Sequence, residues 1–193
     1  MKKILQQNDS AKISEVLREK AKEVDLSLIK TKKIQVILKE MSKALKSQND
    51  GVAIAAPQIG YKLRIFIVSG KIFAKDFVKK DEKILNREPN PDPLLIKKRE
   101  KTLKDLIFIN PKISKLSREK EWLPEGCLSM KWLYGKTFRS KKATITAYDE
   151  NGKKFTRGAS GLIAQIFQHE TDHLNGILFT DHAKDVKEEL PIK

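Results

Sequence analysis

The sequence predicts an α+β protein in which antiparallel β-sheets pack around a central C-terminal helix, with further helices near the N-terminus. An amphipathic helical pattern precedes the first apolar strands, several short strands with turn residues between them follow, and a last apolar helix closes the series. A length of 193 residues is typical of one domain, so we expect a single domain over residues 1–193.

Two helices are predicted before the first strand. Residues 12–23 have a polar helical pattern. Residues 32–48 place apolar side chains at helical spacing on one face, which is typical of a helix that packs on a sheet: Ile34, Ile37, Leu38, Met41 and Leu45. The turn residues Asn49-Asp50-Gly51 are expected to end this helix.

Short apolar runs predict the strands that follow. Residues 52–56 and 63–69 form the first two, and the second of these is the clearest strand pattern in the chain. Residues 106–109 and 112–116 resume the series, with a break expected at Asn110-Pro111. Further along, residues 142–148 and 153–157 read as a hairpin joined by the turn residues 149–152.

Between the second and third strands, residues 70–105 differ from the rest of the chain in composition. They are rich in lysine and contain three prolines within five positions, at 89, 91 and 93. We expect a surface insertion that is partly helical at its start, forms a loop around the prolines and takes no part in chemistry.

Composition narrows the class of protein. Lysine and arginine exceed acidic residues by 40 to 25, which gives a formal net charge of +15, but the lysines are spread along the chain and mixed with acids. This pattern indicates a solvated surface, and no nucleic-acid recognition motif accompanies it. No apolar run reaches the length of a membrane span, and one cysteine cannot form an internal disulfide, so we expect a cytoplasmic protein.

The strongest chemical signal lies in the last predicted helix, residues 160–174, which Ser160 is expected to cap and Asn175-Gly176 to end. Within it, His169 and His173 are four residues apart, so both imidazoles stand on one helix face and can bind one metal ion. Glu170 lies beside them, close enough to reach a water on the metal without being a ligand. The segment predicts a metal site.

The spacing of the residues does not by itself identify the third metal ligand. One protease class continues this motif with a histidine at position 179, where this chain has Phe179, and another uses a later glutamate, for which only Glu188 and Glu189 remain. The sole cysteine, Cys127, can complete a Cys-His-His set and leave the fourth tetrahedral position to water. His182 is expected to be a surface residue.

Three motifs taken together resemble the peptide deformylase family. The family carries G-x-G-x-A-A-x-Q, E-G-C-L-S and Q-H-E-x-D-H-L-x-G in this order. Here residues 51–58 read G-V-A-I-A-A-P-Q, residues 125–129 read E-G-C-L-S and residues 168–176 read Q-H-E-T-D-H-L-N-G. The last two are complete, so the whole chain is expected to be one deformylase-like catalytic domain.

The resemblance implies an activity and a metal site. The family removes the formyl group from the N-terminal formyl-methionine of new bacterial proteins and releases formate. In this chain the implied ligands are Cys127, His169 and His173, which would hold one divalent ion. Fe²⁺ is favoured, with Zn²⁺, Ni²⁺ or Co²⁺ as substitutes.

The resemblance also implies which residues catalyse removal of the formyl group. Glu170 would act as general base and then as general acid. The side-chain amide of Gln58 and the backbone N–H of Leu128 would stabilise the oxyanion that forms during attack on the formyl carbon. Glu125 and Arg139 would pair beneath the cysteine loop and orient it.

Substrate binding is implied at the first motif. The peptide would lie beside it as an added strand, bound by backbone groups near Gly51, Ala53 and Ile54. An apolar pocket for the methionine side chain is expected near Ile54, Ile166 and His169.

Two departures from the family pattern concern the site. Ala53 replaces the second glycine of the first motif, and the change is mild if the backbone there is extended. Lys131 stands where many members have proline and is expected to alter the loop after the cysteine.

Two rival functions remain open on sequence. One is a metalloprotease, and the other is a catalytically silent homologue that binds RNA or the ribosome. We expect a monomer that acts on N-formyl-methionyl peptides and binds no specific nucleic acid and no membrane. A weak ribosome contact through residues 181–193 is the remaining possibility.

Overall fold

A computed structural model of the chain describes residues 2–73 and 104–190. Within these residues the helices are α1 (Ala11–Arg18), α2 (Lys32–Lys46) and α3 (Gly161–Leu174). The strands are β1 (Ala53–Ala55), β2 (Ile65–Val68), β3 (Leu106–Leu116), β4 (Lys120–Gly126), β5 (Leu133–Ser140), β6 (Lys142–Tyr148), β7 (Lys154–Ser160) and β8 (Lys184–Glu188).

The strands form two antiparallel sheets. The larger has the order β1-β2-β3-β6-β7 and the smaller has the order β4-β5-β8. The α+β class with antiparallel sheets around a C-terminal helix is therefore confirmed.

Helices cover both faces of the larger sheet at β2, which explains its unbroken apolar run. Because side chains alternate along a strand, Ile65 and Ile67 pack in one cluster with α2, whereas Phe66 and Val68 pack in a second cluster with α3. Phe66 also stacks on Phe108 of β3 with ring centroids 4.5 Å apart. The two clusters fix α2 and α3 on opposite sides of the sheet, and β1 stays at its edge.

The structure corrects several predicted boundaries. The first helix ends at Arg18 rather than at residue 23, because Ala21 and Lys22 use their N–H groups to bond the carbonyls of Leu174 and Lys62. The predicted break at Asn110 is instead a register shift inside one continuous strand, β3. Asn110 has a φ of 49°, which accommodates the irregularity.

Three strands were missed by the sequence patterns: β4, β5 and β8. The first contains Pro124, which an edge strand tolerates, and the second contains Gly135. The third lies within residues 181–193, for which the sequence suggested only a weak ribosome contact. Strand β4 has one buried residue and β8 has none, so their sequences lack the apolar alternation of a half-buried strand.

The predicted insertion, residues 70–105, lies for the most part outside the described residues. Its first residues, Gly70–Phe73, form a 3-10 helix, in keeping with a helical start. Residues 74–103 are not described, so their role as a surface insertion and the single-domain organisation stay predictions.

Candidate metal centre and active site

Two elements bring the three predicted metal ligands together. His169 and His173 lie one turn apart on α3, and Cys127 follows immediately after β4. The ligand atoms of all three lie within 4.8 Å of one another, and Cys127 Sγ is 3.1 Å from His173 Nε2. Glu188, one of the alternative ligands, is exposed on β8 instead. The tertiary structure thus brings the cysteine, and not Glu188, to the two histidines.

The orientation of His169 is set by Glu125. Nδ1 of His169 lies 2.7 Å from Oε1 of Glu125, which leaves Nε2 as the nitrogen available to a metal. Arg139 pairs with the same carboxylate through Nη2 at 2.7 Å and Nε at 3.1 Å. Glu125 and Arg139, which the resemblance paired beneath the cysteine loop, are thus in contact there.

The same network contains residues that sequence reasoning missed. Arg139 Nη1 donates to Asp172 Oδ2 at 2.6 Å, and Thr137 Oγ1 donates to Glu125 Oε2 at 2.7 Å. Thr137 and Arg139 are two residues apart on β5, so both side chains face α3. The two-residue spacing of Thr137 and Arg139 could have indicated that both face the site. It was not used because β5 was not predicted as a strand.

The electrostatics of the cluster favour a cation. Burial by itself favours the neutral acid, but hydrogen bonds and charges from His169 and Arg139 hold the pKa of Glu125 well below its usual range. Burial also opposes a charge on His169, yet Cys127 and Glu125 raise the pKa of its imidazole well above the ordinary value. A site that stabilises positive charge between a thiol and a carboxylate fits a divalent metal ion, as does the donor set of one sulfur and two imidazoles.

Glu170 is buried beside the two imidazoles and is 3% exposed. Burial raises the pKa of this carboxyl to about 7. Its Oε2 atom has no hydrogen-bond partner within residues 2–73 and 104–190. A carboxyl group with such a pKa and a free oxygen can both accept and return a proton near neutral pH.

Gln58 also lies beside the cysteine. It lies in the 3-10 helix Ala56–Ile59, where its Oε1 accepts a hydrogen bond from the Ala55 N–H at 2.8 Å. This bond turns the amide so that Nε2 lies 3.6 Å from Cys127 Sγ and 3.2 Å from Ser129 Oγ. The Gln58 amide thus offers a donor beside the metal ligands.

A cavity of about 320 Å³ opens onto this cluster. Its apolar lining includes Val52 beside β1 and Leu162 and Ile166 from α3, and Gln58, Leu128 and Glu170 also line it. Leu162, Ile166 and His169 share a helix face because they are spaced by three or four residues. Ile166 and His169 were predicted near this pocket, whereas Val52 and Leu162 were not.

The placement of Ile54 near the pocket is corrected. Its side chain is fully buried on the α2 side of β1, in the cluster that contains Ile65 and Ile67, because successive side chains of a strand face opposite ways. Its side chain is therefore no wall of the cavity, and only its backbone stays a candidate for peptide binding.

The first-motif glycine and alanine have different roles. A Cβ added at Gly51 would lie 3.1 Å from Leu45 Cδ1 and 3.2 Å from Leu128 Cδ1, so the close approach favours glycine. Ala53, in contrast, lies in strand β1 and lines the cavity. Its φ is not in the left-handed region, so the replacement of glycine is tolerated there.

The chain matches the family model described as polypeptide deformylase over residues 1–189. The chain belongs to the peptide deformylase family. It is 36% identical over 167 residues to peptide deformylase 2 of Clostridium acetobutylicum, covering 86% of this chain and 88% of that protein. A peptide deformylase of Christiangramia forsetii is 36% identical over 177 residues, covering 91% and 80%.

The fold is similar to solved structures of the same family. A crystal structure of a peptide deformylase from Legionella pneumophila superposes with a TM-score of 0.71 at 28% identity, covering 96% of this chain and 87% of that one. The protein is accordingly a metal-dependent hydrolase that removes the N-formyl group from nascent polypeptides. None of the helices within the described residues has the length and hydropathy needed to cross a membrane.

Proposed function

We propose that Glu170 is the general base and then the general acid of deformylation in this chain. The observation that carries the proposal is its buried carboxyl group, with a pKa raised to about 7 and an unpartnered oxygen, between the two histidines. Such a group takes a proton from an attacking water and returns it to the departing amine without leaving the site.

Cys127, His169 and His173 are the proposed ligands of one divalent ion. When bound, that ion supplies a Lewis acid that lowers the pKa of water near neutrality. The thiol-and-imidazole donor set suits Fe²⁺ and Zn²⁺ alike, and Fe²⁺ is proposed as the native ion on the resemblance to the family. Glu125, held by Arg139, would keep His169 in the tautomer that leaves Nε2 free to bind the ion.

Gln58 and Leu128 are proposed to stabilise the oxyanion. The Gln58 amide is fixed by its bond to the Ala55 N–H, so its Nε2 donor needs little reorganisation during the reaction. The backbone N–H of Leu128 is the second donor. Loss of one donor of this kind typically lowers the rate by about 10²–10³-fold.

The formylated peptide is proposed to bind along β1. Among the described strands, β1 is at the edge of the larger sheet, and residues Gly51 and Ala53 line the cavity. An edge strand offers free backbone groups to an extended peptide, which would continue the sheet. The methionine side chain would then enter the apolar part of the cavity at Leu162 and Ile166.

The proposal is tested with a formyl-Met tripeptide and protein purified without oxygen. Glu170→Gln is expected to keep the metal and lose about 10²–10⁴-fold in kcat, because the amide cannot accept the proton. Glu150→Gln, in the β6–β7 turn, is the matched control with unchanged kcat. A Glu170→Gln enzyme with full activity contradicts the assigned base.

The metalloprotease alternative is tested in the same assay. An unformylated peptide of the same sequence is expected to stay intact. The monomeric state, the cytoplasmic location and the weak ribosome contact through residues 181–193 stay predictions.

A further inference from the structure

The N-terminal residues 5–7 hydrogen-bond both to the segment around Gln58 and to the loop that follows Cys127. The N–H of Leu5 donates to the carbonyl of Gln58 at 2.8 Å, and the N–H of Gln7 donates to the carbonyl of Ser129 at 2.9 Å. Residues 5–7 therefore connect the two segments that carry the proposed oxyanion donors. The side chain between these bonds is that of Gln6.

The Gln6 side chain clamps the loop that follows Cys127. Its Nε2 donates to the carbonyl of Leu128 at 2.8 Å, and its Oε1 accepts from the N–H of Lys131 at 3.2 Å. Gln6 is not among the residues that line the catalytic cavity. It lines a second cavity beside the same loop. It can thus influence the metal site only through the peptide groups that it holds.

One peptide group joins Gln6 to the metal ligand. The carbonyl of Leu128 and the N–H of Ser129 belong to the same planar peptide unit, so fixing one end fixes the other. That Ser129 N–H donates to Cys127 Sγ at 3.4 Å. A peptide whose carbonyl accepts a hydrogen bond is also a stronger donor at its N–H, because the two bonds polarise the amide in the same direction.

We infer that Gln6 is a positioning residue that holds the Leu128–Ser129 peptide so that its N–H bonds the Cys127 sulfur. The inference rests on the proposed role of Cys127 as a metal ligand. Hydrogen bonds to a ligating sulfur set how much electron density it gives the metal, and partners of this kind typically change affinity or activity by 10–100-fold. Since Gln6 acts one peptide further out, the expected effect on kcat is about tenfold, with KM for the peptide unchanged.

The test uses the full chain loaded with Co²⁺, whose thiolate charge-transfer absorption reports the sulfur directly. Gln6→Met keeps the length of the side chain and removes both hydrogen bonds. Gln6→Glu keeps an acceptor for the Lys131 N–H but cannot donate to the Leu128 carbonyl. Both variants are expected to shift the charge-transfer band and lower kcat.

Gln7→Met is the matched control. The Gln7 side chain donates to Ser14 Oγ and not to the loop, so its loss removes a neighbouring amide without touching the Leu128–Ser129 peptide. Its band and kcat are expected to equal those of the parent. The melting temperature of each variant is measured beside the spectra.

Three outcomes are distinguishable. A band and a kcat that are unchanged in both Gln6 variants overturn the inference. A lower melting temperature with an unchanged band overturns it as well, because Gln6 would then be merely structural. A parent that binds Co²⁺ with a thiolate band yet releases no formate contradicts the proposed function, while the band of the Gln6 variants still decides the inference.

Discussion

Nδ1 of His169 and Oε1 of Glu125 lie 2.7 Å apart, in a network where Arg139 donates to both oxygens of the same carboxylate. The pair joins β4 to α3, the two elements that carry the cysteine and the histidines. An imidazole with one nitrogen fixed in this way presents the other to a metal in a defined direction. The geometry of the metal site therefore depends on a residue that is not itself a proposed ligand.

Replacement of Glu125 by glutamine is expected to weaken metal binding by about 10–100-fold. The amide has the size of the carboxylate but lacks its charge. Its NH₂ group would face the N–H and O–H donors of Arg139 and Thr137 and could not accept their hydrogen bonds. Titration against a competing chelator measures the affinity. Glu121→Gln, on the same strand, is the control and should bind metal as the parent does. An unchanged affinity in Glu125→Gln would show that the pair does not orient His169.

Removal of the metal is expected to lower the thermal stability of the protein. A ligand at about 100 times its Kd stabilises the folded state by about 2.7 kcal/mol. For a chain of this size that corresponds to a shift of roughly 5–10 °C in Tm. Scanning calorimetry of chelator-treated protein, before and after Zn²⁺ is added back, checks the shift. Cys127→Ser should respond much less, and an equal response would argue against the sulfur as a ligand.

Asn110 is expected to be a strong determinant of stability. Its buried side chain accepts from the Val24 N–H at 2.8 Å and donates to the Val24 carbonyl at 2.7 Å, and its φ is 49°. Asn110→Ala loses both bonds and strains the backbone, so urea unfolding should show a loss of about 2–4 kcal/mol. Asn110→Gly loses the same bonds without the strain and should be about 1 kcal/mol more stable than the alanine variant. Equal stabilities would refute the strain argument.

Gly176 is expected to tolerate no side chain. It ends α3 with a φ of 75°, and the bonds from Gly176 N–H to the His173 carbonyl and from Ile177 N–H to the Asp172 carbonyl form a Schellman cap. An added Cβ would lie 2.0 Å from the Arg18 carbonyl oxygen. Gly176→Ala should therefore lose more than about 3 kcal/mol in urea unfolding.

Gly161→Ala is the matched control for this overlap. Gly161 also has a positive φ, 57°, but an added Cβ there meets no atom of the described residues within 4 Å. It should cost only the backbone strain of about 1–2 kcal/mol. Similar losses at both positions would mean that the contact with Arg18 is unimportant.

Sequence patterns predicted the elements with a strong apolar signal. The α2 stripe has a helical period, β2 is an unbroken apolar run and β6 alternates, and each of these elements was found close to its predicted position. Strands β4, β5 and β8 were missed because their sequences contain Pro124, Gly135 and many charges. Such strands form because a partner pairs with them, and local sequence does not show the partner.

His169 and His173 share a helix face because four residues make about one turn, and Glu170 lies beside them, so local sequence alone brings these three groups together on α3. Which distant residues approach them depends on the tertiary fold. Cys127 is 46 positions from His173, and Gln58 is 69 positions from Cys127. Their approach depends on sheet pairing and on the packing of α2 and α3 over β2, which are long-range contacts that local spacing does not encode.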